Sequence, residues 1–224
     1  MCADWNQLFT DPIKIKRDPD PLVEELCGIL RKRARVLDLG CGAGRHLLHL
    51  ARKNIKACGS DLSPEGLRLS RDWMARENLS AHLLLSEMTA LPFGKEVFDG
   101  ALSVNVLNHA TLSDGAGAVA EIRRILKRGA PFFFLIIGRE DFRCGEGDEI
   151  EPFTFIHRQG IEAGVPHHFY IPSEIEQMAA RFGRISIKER RRAYDPKDPI
   201  FGHDPRAIGR PEATVQHWEV RLWK

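Results

Sequence analysis

The chain is poor in cysteine and has no close pair of them. Cys2, Cys27, Cys41, Cys58 and Cys144 are scattered over 224 residues. An odd set without C-x-x-C spacing supports neither a disulfide framework nor a zinc site, and fits a reducing compartment. An excess of one charge is missing too. The formal net charge is +2, too small to announce a nucleic-acid or membrane surface. No apolar run approaches the roughly 20 residues needed to cross a bilayer, and the opening MCADWNQLFTDPIKIKRDPDP holds no apolar core of signal-peptide length. A cytoplasmic location is expected. Internal repeats, low-complexity tracts and domain linkers are also absent, so one α/β domain is the reading over residues 21–224, preceded by an N-terminal segment, residues 1–20.

What the chain does have is alternation. LVEELCGILRK after Pro21 carries apolar residues at helical spacing, and ARVLDLG is a short β-rich run ended by glycine. RHLLHLARK then reads as helix, IKACGSD as strand, PEGLRLSRDWMARE as helix and AHLLLSE as strand. VFDGALSVN is the next strand, DGAGAVAEIRRILKRG a helix closed by Gly129, and APFFFLIIG a wholly apolar strand. Strands and helices in this rhythm build a doubly wound, Rossmann-like parallel sheet with right-handed crossovers. The rhythm breaks over residues 138–172, a stretch too long for an ordinary connection and read as a substrate or lid insertion. SEIEQMAARFG resumes as helix, with Ser173 as N-cap and Glu176 at capping-box spacing. RISIKERRRAY and TVQHWEVRLWK follow without a helix between them and should pair antiparallel, which completes a seven-stranded, mostly parallel sheet with a C-terminal hairpin.

VLDLGCGAGRHLLHL, Val36 to Leu50, forms the first strand-to-helix turn. Gly40, Gly42 and Gly44 let the chain turn sharply and let a ligand touch bare backbone at a helix N-terminus. A dinucleotide site needs G-x-G-x-x-G; here the third glycine's place is taken by Arg45, which argues against NAD.

With Asp38 just before the turn and Asp61 ending the second strand, the segment resembles the class I S-adenosylmethionine-dependent methyltransferases. The resemblance runs from about Pro21 to Lys224. It implies that Gly40, Cys41, Gly42 and Gly44 lie along S-adenosylmethionine, that Asp38 orients its amine, and that Asp61 with Leu62 holds the ribose. It further implies that Glu87 and Met88 meet the adenine, and that NVLNH, Asn105 to His109, closes the site below the sulfur. Two departures stand out: Glu87 is not the more usual Asp, and Arg128 stands where a proline is common.

Methyl transfer needs an aligned acceptor and, for some acceptors, a base. No N-P-P-Y or D-P-P-Y stretch follows the fourth strand, which disfavours exocyclic base amines. The candidate bases are His109 and the pair His167 and His168, of which His109 and His168 are taken as catalytic, because imidazole titrates near neutral pH. Two adjacent histidines do not make a metal site without further ligands, so no metal is expected. Trp5, Phe9 and the loop DPKDPIFGHDPRAIGRPEA are expected around the acceptor; Phe153, Phe155, Phe169 and Tyr170 are candidates to line it, against the more frequent alternative that aromatic residues of such a stretch form its own small core. A small molecule is the leading acceptor. RNA, on the strength of Arg190, Arg191 and Arg192, is the second reading, and a non-catalytic S-adenosylmethionine-binding protein the third. The oligomeric state is left open.

Overall fold

A computed structural model describes residues 5–9, 17–158, 162–195 and 212–224. The expected acceptor loop at 195–213 therefore lies almost wholly outside the described residues, as does Cys2. A short 3-10 turn, Trp5–Phe9, precedes the helix α1, Pro21–Ile29. Then come β1 Arg35–Leu39, α2 Arg45–Arg52, β2 Lys56–Asp61, α3 Pro64–Arg76, β3 His82–Leu85, β4 Gly100–Val104, α4 Leu112–Ile125 and β5 Pro131–Ile137. The main sheet is finished by β9 Arg184–Ala193 and β10 Thr214–Trp223. Its seven strands run in the order β3-β2-β1-β4-β5-β10-β9. The first five pair in parallel, and β10 is antiparallel to both β5 and β9.

The expected alternation is thus present, and its physical cause is burial on both faces. β4 and β5 are buried along their whole length, as continuous apolar runs require when helices cover a parallel sheet on both sides. Two apolar clusters form, one holding Leu37, Phe132, Phe134 and Ile122, the other Val36, Leu47, Leu102 and Phe133. Successive residues of one strand feed opposite layers.

Residues 138–172 are not irregular throughout. They contain β6 Asp148–Glu151, β7 Thr154–Ile156 and β8 Pro166–His168, a separate three-stranded antiparallel sheet. The strands are too short for periodicity to announce them. Helix α5, Pro172–Ala179, starts earlier than expected: its N-cap is Ile171, not Ser173, because Pro172 fits the first helical position. The Glu174 carboxylate, not that of Glu176, accepts the Ile171 N–H at 3.0 Å. Helix α4 ends at Ile125, ahead of Gly129, because Phe98 captures Leu126 in a bridge.

The α2–α3 contact rests on Gly44. Its φ of +90° is one that L side chains rarely adopt, and a Cβ there would lie 2.3 Å from Ser70 Oγ and 3.2 Å from the Ser70 Cα. Gly44→Ala should therefore cost at least about 1–3 kcal/mol, read as a lower denaturant midpoint. An unchanged midpoint would show that α3 yields freely.

Candidate active site

In the order β2-β1-β4-β5 the crossovers leave β1 in opposite directions, so a crevice opens beyond the carboxyl ends of β1 and β4. A cavity of about 390 Å³ occupies it. Its walls include Gly40, Gly42, Asp61, Leu62, Glu87, Met88, Asn105 and His109, all named from the sequence. Trp5 and Phe9 cover it, also as named.

The glycine loop is held by main chain and carboxylate together. Gly40 and Cys41 donate their N–H groups to the Ser60 carbonyl at 2.7 and 3.1 Å. Asp61 accepts the Gly42 N–H at 2.7 Å on one oxygen and the Ser63 N–H at 2.8 Å on the other. Burial raises the Asp61 carboxyl above its ordinary value, the nearby Asp38 adds to this, and the main-chain hydrogen bonds oppose both. Gly40 is needed for space as well as for its φ of +69°, since a Cβ would meet Val106 Cγ2 at 2.2 Å.

Four of the residues named from the sequence do not reach the cavity wall. Gly44 faces Ser70. Cys41 is 5% exposed and packs in the core beneath the loop, where burial holds its thiol well above the ordinary range. Asp38 lies fully buried behind the loop, its Oδ1 3.5 Å from His46 Nδ1. His168 is fully buried in the insertion, with Nδ1 2.6 Å from Thr154 Oγ1 and Nε2 3.4 Å from Glu174. His168 ties the small sheet to α5, and its main-chain N–H anchors β8 to the Asn108 carbonyl at 2.8 Å.

Of the two readings of the insertion's aromatic residues, the structure has the small core. Phe155 and Phe169 pack on Ile137 as a small core of the insertion. Tyr170 is buried and donates its hydroxyl to the Leu107 carbonyl at 3.2 Å. Phe153 lies under the Arg139 guanidinium, 3.5 Å from it. None of the four lines the cavity.

Sequence reasoning missed Ser60, Ser86 and Asp114 on the wall, and it missed Glu162 beside it. No motif marks a serine at a strand end. The turn that places Glu162 does leave a trace in Gly164, whose φ of +81° folds the chain back so that the Val165 N–H meets the Glu162 carbonyl. The Glu162 carboxylate lies 3.0 Å from His167 Nε2 and 3.6 Å from His109 Nε2. Trp5 stacks on the His109 ring with centroids 5.0 Å apart. Burial pushes His109 down to about 4; Glu162 opposes this, and His167 and Arg143 reinforce it. Burial alone would raise the Glu162 carboxyl, but its imidazole neighbours and Arg143 outweigh it and hold the carboxyl well below its ordinary value.

Around this crevice several buried polar atoms have no hydrogen-bond partner among the described residues: both Asp38 oxygens, Ser60 Oγ, Ser86 Oγ and Asn105 Oδ1. Native interiors rarely leave such groups unpaired. Their clustering at the mouth of the first crossover fits a ligand that brings an amine and hydroxyl groups. S-adenosylmethionine carries both.

The basic run is not an open patch. Arg190 forms hydrogen bonds to both Asp20 oxygens and to Glu219, and Arg191 pairs with Glu140 and Glu189. Among the described residues, no helix is long and apolar enough to cross a membrane.

Comparison with known proteins agrees with this site. A family model described as a methyltransferase domain matches residues 36–129. The ajmaline N-methyltransferase of Rauvolfia serpentina is 31% identical over 47% of this chain and 36% of its own length. The sterol 4-C-methyltransferase of Caenorhabditis elegans is 25% identical over 68% of this chain and 45% of its own. The chain thus spans less than half the length of these two relatives. A solved S-adenosylmethionine-dependent methyltransferase from Methanosarcina mazei superposes with a TM-score of 0.69 at 21% identity, covering 92% of this chain and 98% of that one. With the strand order, the glycine loop and the acidic strand ends in place, the chain has the fold of the solved S-adenosylmethionine-dependent methyltransferases, and its residues 36–129 are similar to the methyltransferase domain.

Proposed function

We propose that this protein transfers the methyl group of S-adenosylmethionine to a neutral or cationic small molecule. The observation that carries the reading is the set of unpaired buried polar atoms on Ser60, Ser86 and Asn105, three residues of the cavity wall, backed by the two unpaired oxygens of Asp38 behind the glycine loop. On this reading Asp38 takes the amine of the methionine part. Asp61 keeps one lone pair of each oxygen for the ribose hydroxyls, while Gly42 and Ser63 use the others. Glu87 and Met88 border the adenine side.

When bound, S-adenosylmethionine supplies a methyl carbon made electrophilic by its sulfonium. Every other task falls to the chain. The acceptor must be lined up with that carbon and kept from water. Asn105, His109, Ala110, Asp114 and Pro166 form the wall suited to this, and Trp5 and Phe9 close over it. Among the described residues, the cavity wall holds Asp61, Glu87 and Asp114 and not one Lys or Arg. That composition disfavours a phosphate-bearing acceptor. The pairing of Arg190 and Arg191 with carboxylates favours the small molecule over RNA. A cavity of about 390 Å³ also falls within the range of small-ligand sites, about 300–1,000 Å³. Of the three histidines named as candidate bases, only His109 stands on this wall. It does so as one member of a cluster with Glu162 and His167, so its chemistry is that of the cluster and not of a lone ring.

Three outcomes are expected. Incubation with methyl-labelled S-adenosylmethionine and a deproteinised metabolite extract should label a small species, and label found only in RNA or protein would refute the acceptor class. Asp61→Ala should weaken S-adenosylhomocysteine binding by about 1.5–3 kcal/mol, as loss of charge-assisted hydrogen bonds does, measured by titration calorimetry. Asp38→Asn should weaken binding as well, yet leave the ligand-free protein melting no lower, because an amide is cheaper to bury than an unbonded carboxylate. A ligand-free melt several degrees lower would make Asp38 structural instead.

A further inference from the structure

The cluster beside the acceptor wall has a proton-counting problem. His167 is 1% exposed, and its Nδ1 lies 2.9 Å from the Val165 carbonyl. A carbonyl can only accept, so Nδ1 carries the hydrogen. In a neutral ring Nε2 is then a bare lone pair, and it faces Glu162 Oε2 at 3.0 Å, acceptor against acceptor. Something positive must lie between them. An added proton would serve, but it would leave the third member unexplained. His109 Nε2 stands 3.6 Å from Glu162 Oε1, too far for a hydrogen bond. It is close to the roughly 3.3–3.4 Å that separates two ligands on one tetrahedral ion with bonds of about 2.0–2.1 Å. One ligand atom from each of His109, Glu162 and His167 can be chosen so that all three lie within 4.8 Å of one another.

We propose that His109, Glu162 and His167 form a binding site for one divalent first-row transition-metal ion, of the kind Zn²⁺ or Mn²⁺, at the edge of the acceptor space. The set is two imidazoles and one carboxylate, a donor combination that suits such ions. Its surroundings are built for the role. The Val165 carbonyl fixes the tautomer of His167, as backbone carbonyls do for metal-bound histidines. Trp5 holds the His109 ring by stacking, and the His157 ring packs against His167 with centroids 4.7 Å apart. The nearest fixed cation, Arg143, is engaged by Asp141 through two hydrogen bonds of 2.7 and 3.0 Å. Two adjacent histidines are still not a site by themselves. Only His167 takes part; His168 points to Thr154 and Glu174.

The cluster borders the cavity through His109 and Pro166, so the ion would meet an acceptor that carries an oxygen donor. Its use in catalysis rests on the methyl-transfer reading; its binding does not. An acceptor hydroxyl on the ion becomes more acidic. Its proton leaves to solvent, the oxygen forms a bond to the methyl carbon as the carbon–sulfur bond breaks, and sulfur keeps the electron pair as a neutral thioether.

The test uses the full chain stripped with EDTA and titrated with Co²⁺ as the probe. Visible d–d absorption should rise and saturate near one ion per chain. Glu162→Gln and His167→Gln should each weaken that binding by at least about 10–100-fold, the loss typical of disturbing even the outer partners of a metal site. Absence of saturable bands, or bands that survive undiminished in both variants, would overturn the site. Should a variant fail to fold, X-ray absorption of the Zn²⁺-loaded parent decides: two imidazoles and a carboxylate oxygen support the site, and any other ligand set refutes it. S-adenosylhomocysteine binding measured in EDTA reports on the methyl-transfer reading separately, so the two can fail independently.

Discussion

Asp61 is the point at which fold and site are joined. Its carboxylate sits at the end of β2 and reaches across to the Gly42 N–H while capping the start of the next turn at Ser63. Without that bridge the glycine loop would have only the Ser60 carbonyl to hold it to the neighbouring strand. On the proposed reading the same two oxygens serve a ligand with their remaining lone pairs. A buried carboxylate kept for this purpose is costly, and two main-chain donors are what keep it affordable.

The acceptor side is made differently. It depends on the insertion that follows β5, which docks through the His168 N–H on the Asn108 carbonyl and through Glu151, whose carboxylate accepts the Leu112 N–H at the start of α4. These contacts bring Pro166 and His167 against the loop after β4. The N-terminal turn closes the arrangement from above: Asn6 accepts hydrogen bonds from Ser63 and Glu65, Phe9 lies against Gly42 and Gly66, and Trp5 covers His109. Three segments remote in sequence thereby enclose one space. The proposed cofactor half belongs to the doubly wound frame, and the proposed acceptor half to pieces added to it.

Much of the frame could be read before any coordinates. Apolar spacing gave the alternation of helix and strand, and the glycines with Asp38 and Asp61 gave the position of the crevice. Where the reading failed, the cause was a contact between distant segments. Ser173 has the right residue type for an N-cap, but Pro172 and Glu174 set the helix start. The aromatic residues of the insertion took the more frequent of the two places open to them, its own core, because a small sheet has few other ways to bury apolar area.

The sequence by itself determined the layered α/β frame, the mouth of the first crossover and the residue types around it. All of these follow from local periodicity, turn chemistry and the handedness of strand–helix–strand connections, which act over short stretches of chain. Only the tertiary structure decided that His109 meets Glu162 and His167, that His168 does not, and that Asp38 is buried without a hydrogen bond. Such facts are convergences in space. They depend on how the insertion packs on the loop after β4, and no spacing along the chain encodes that distance.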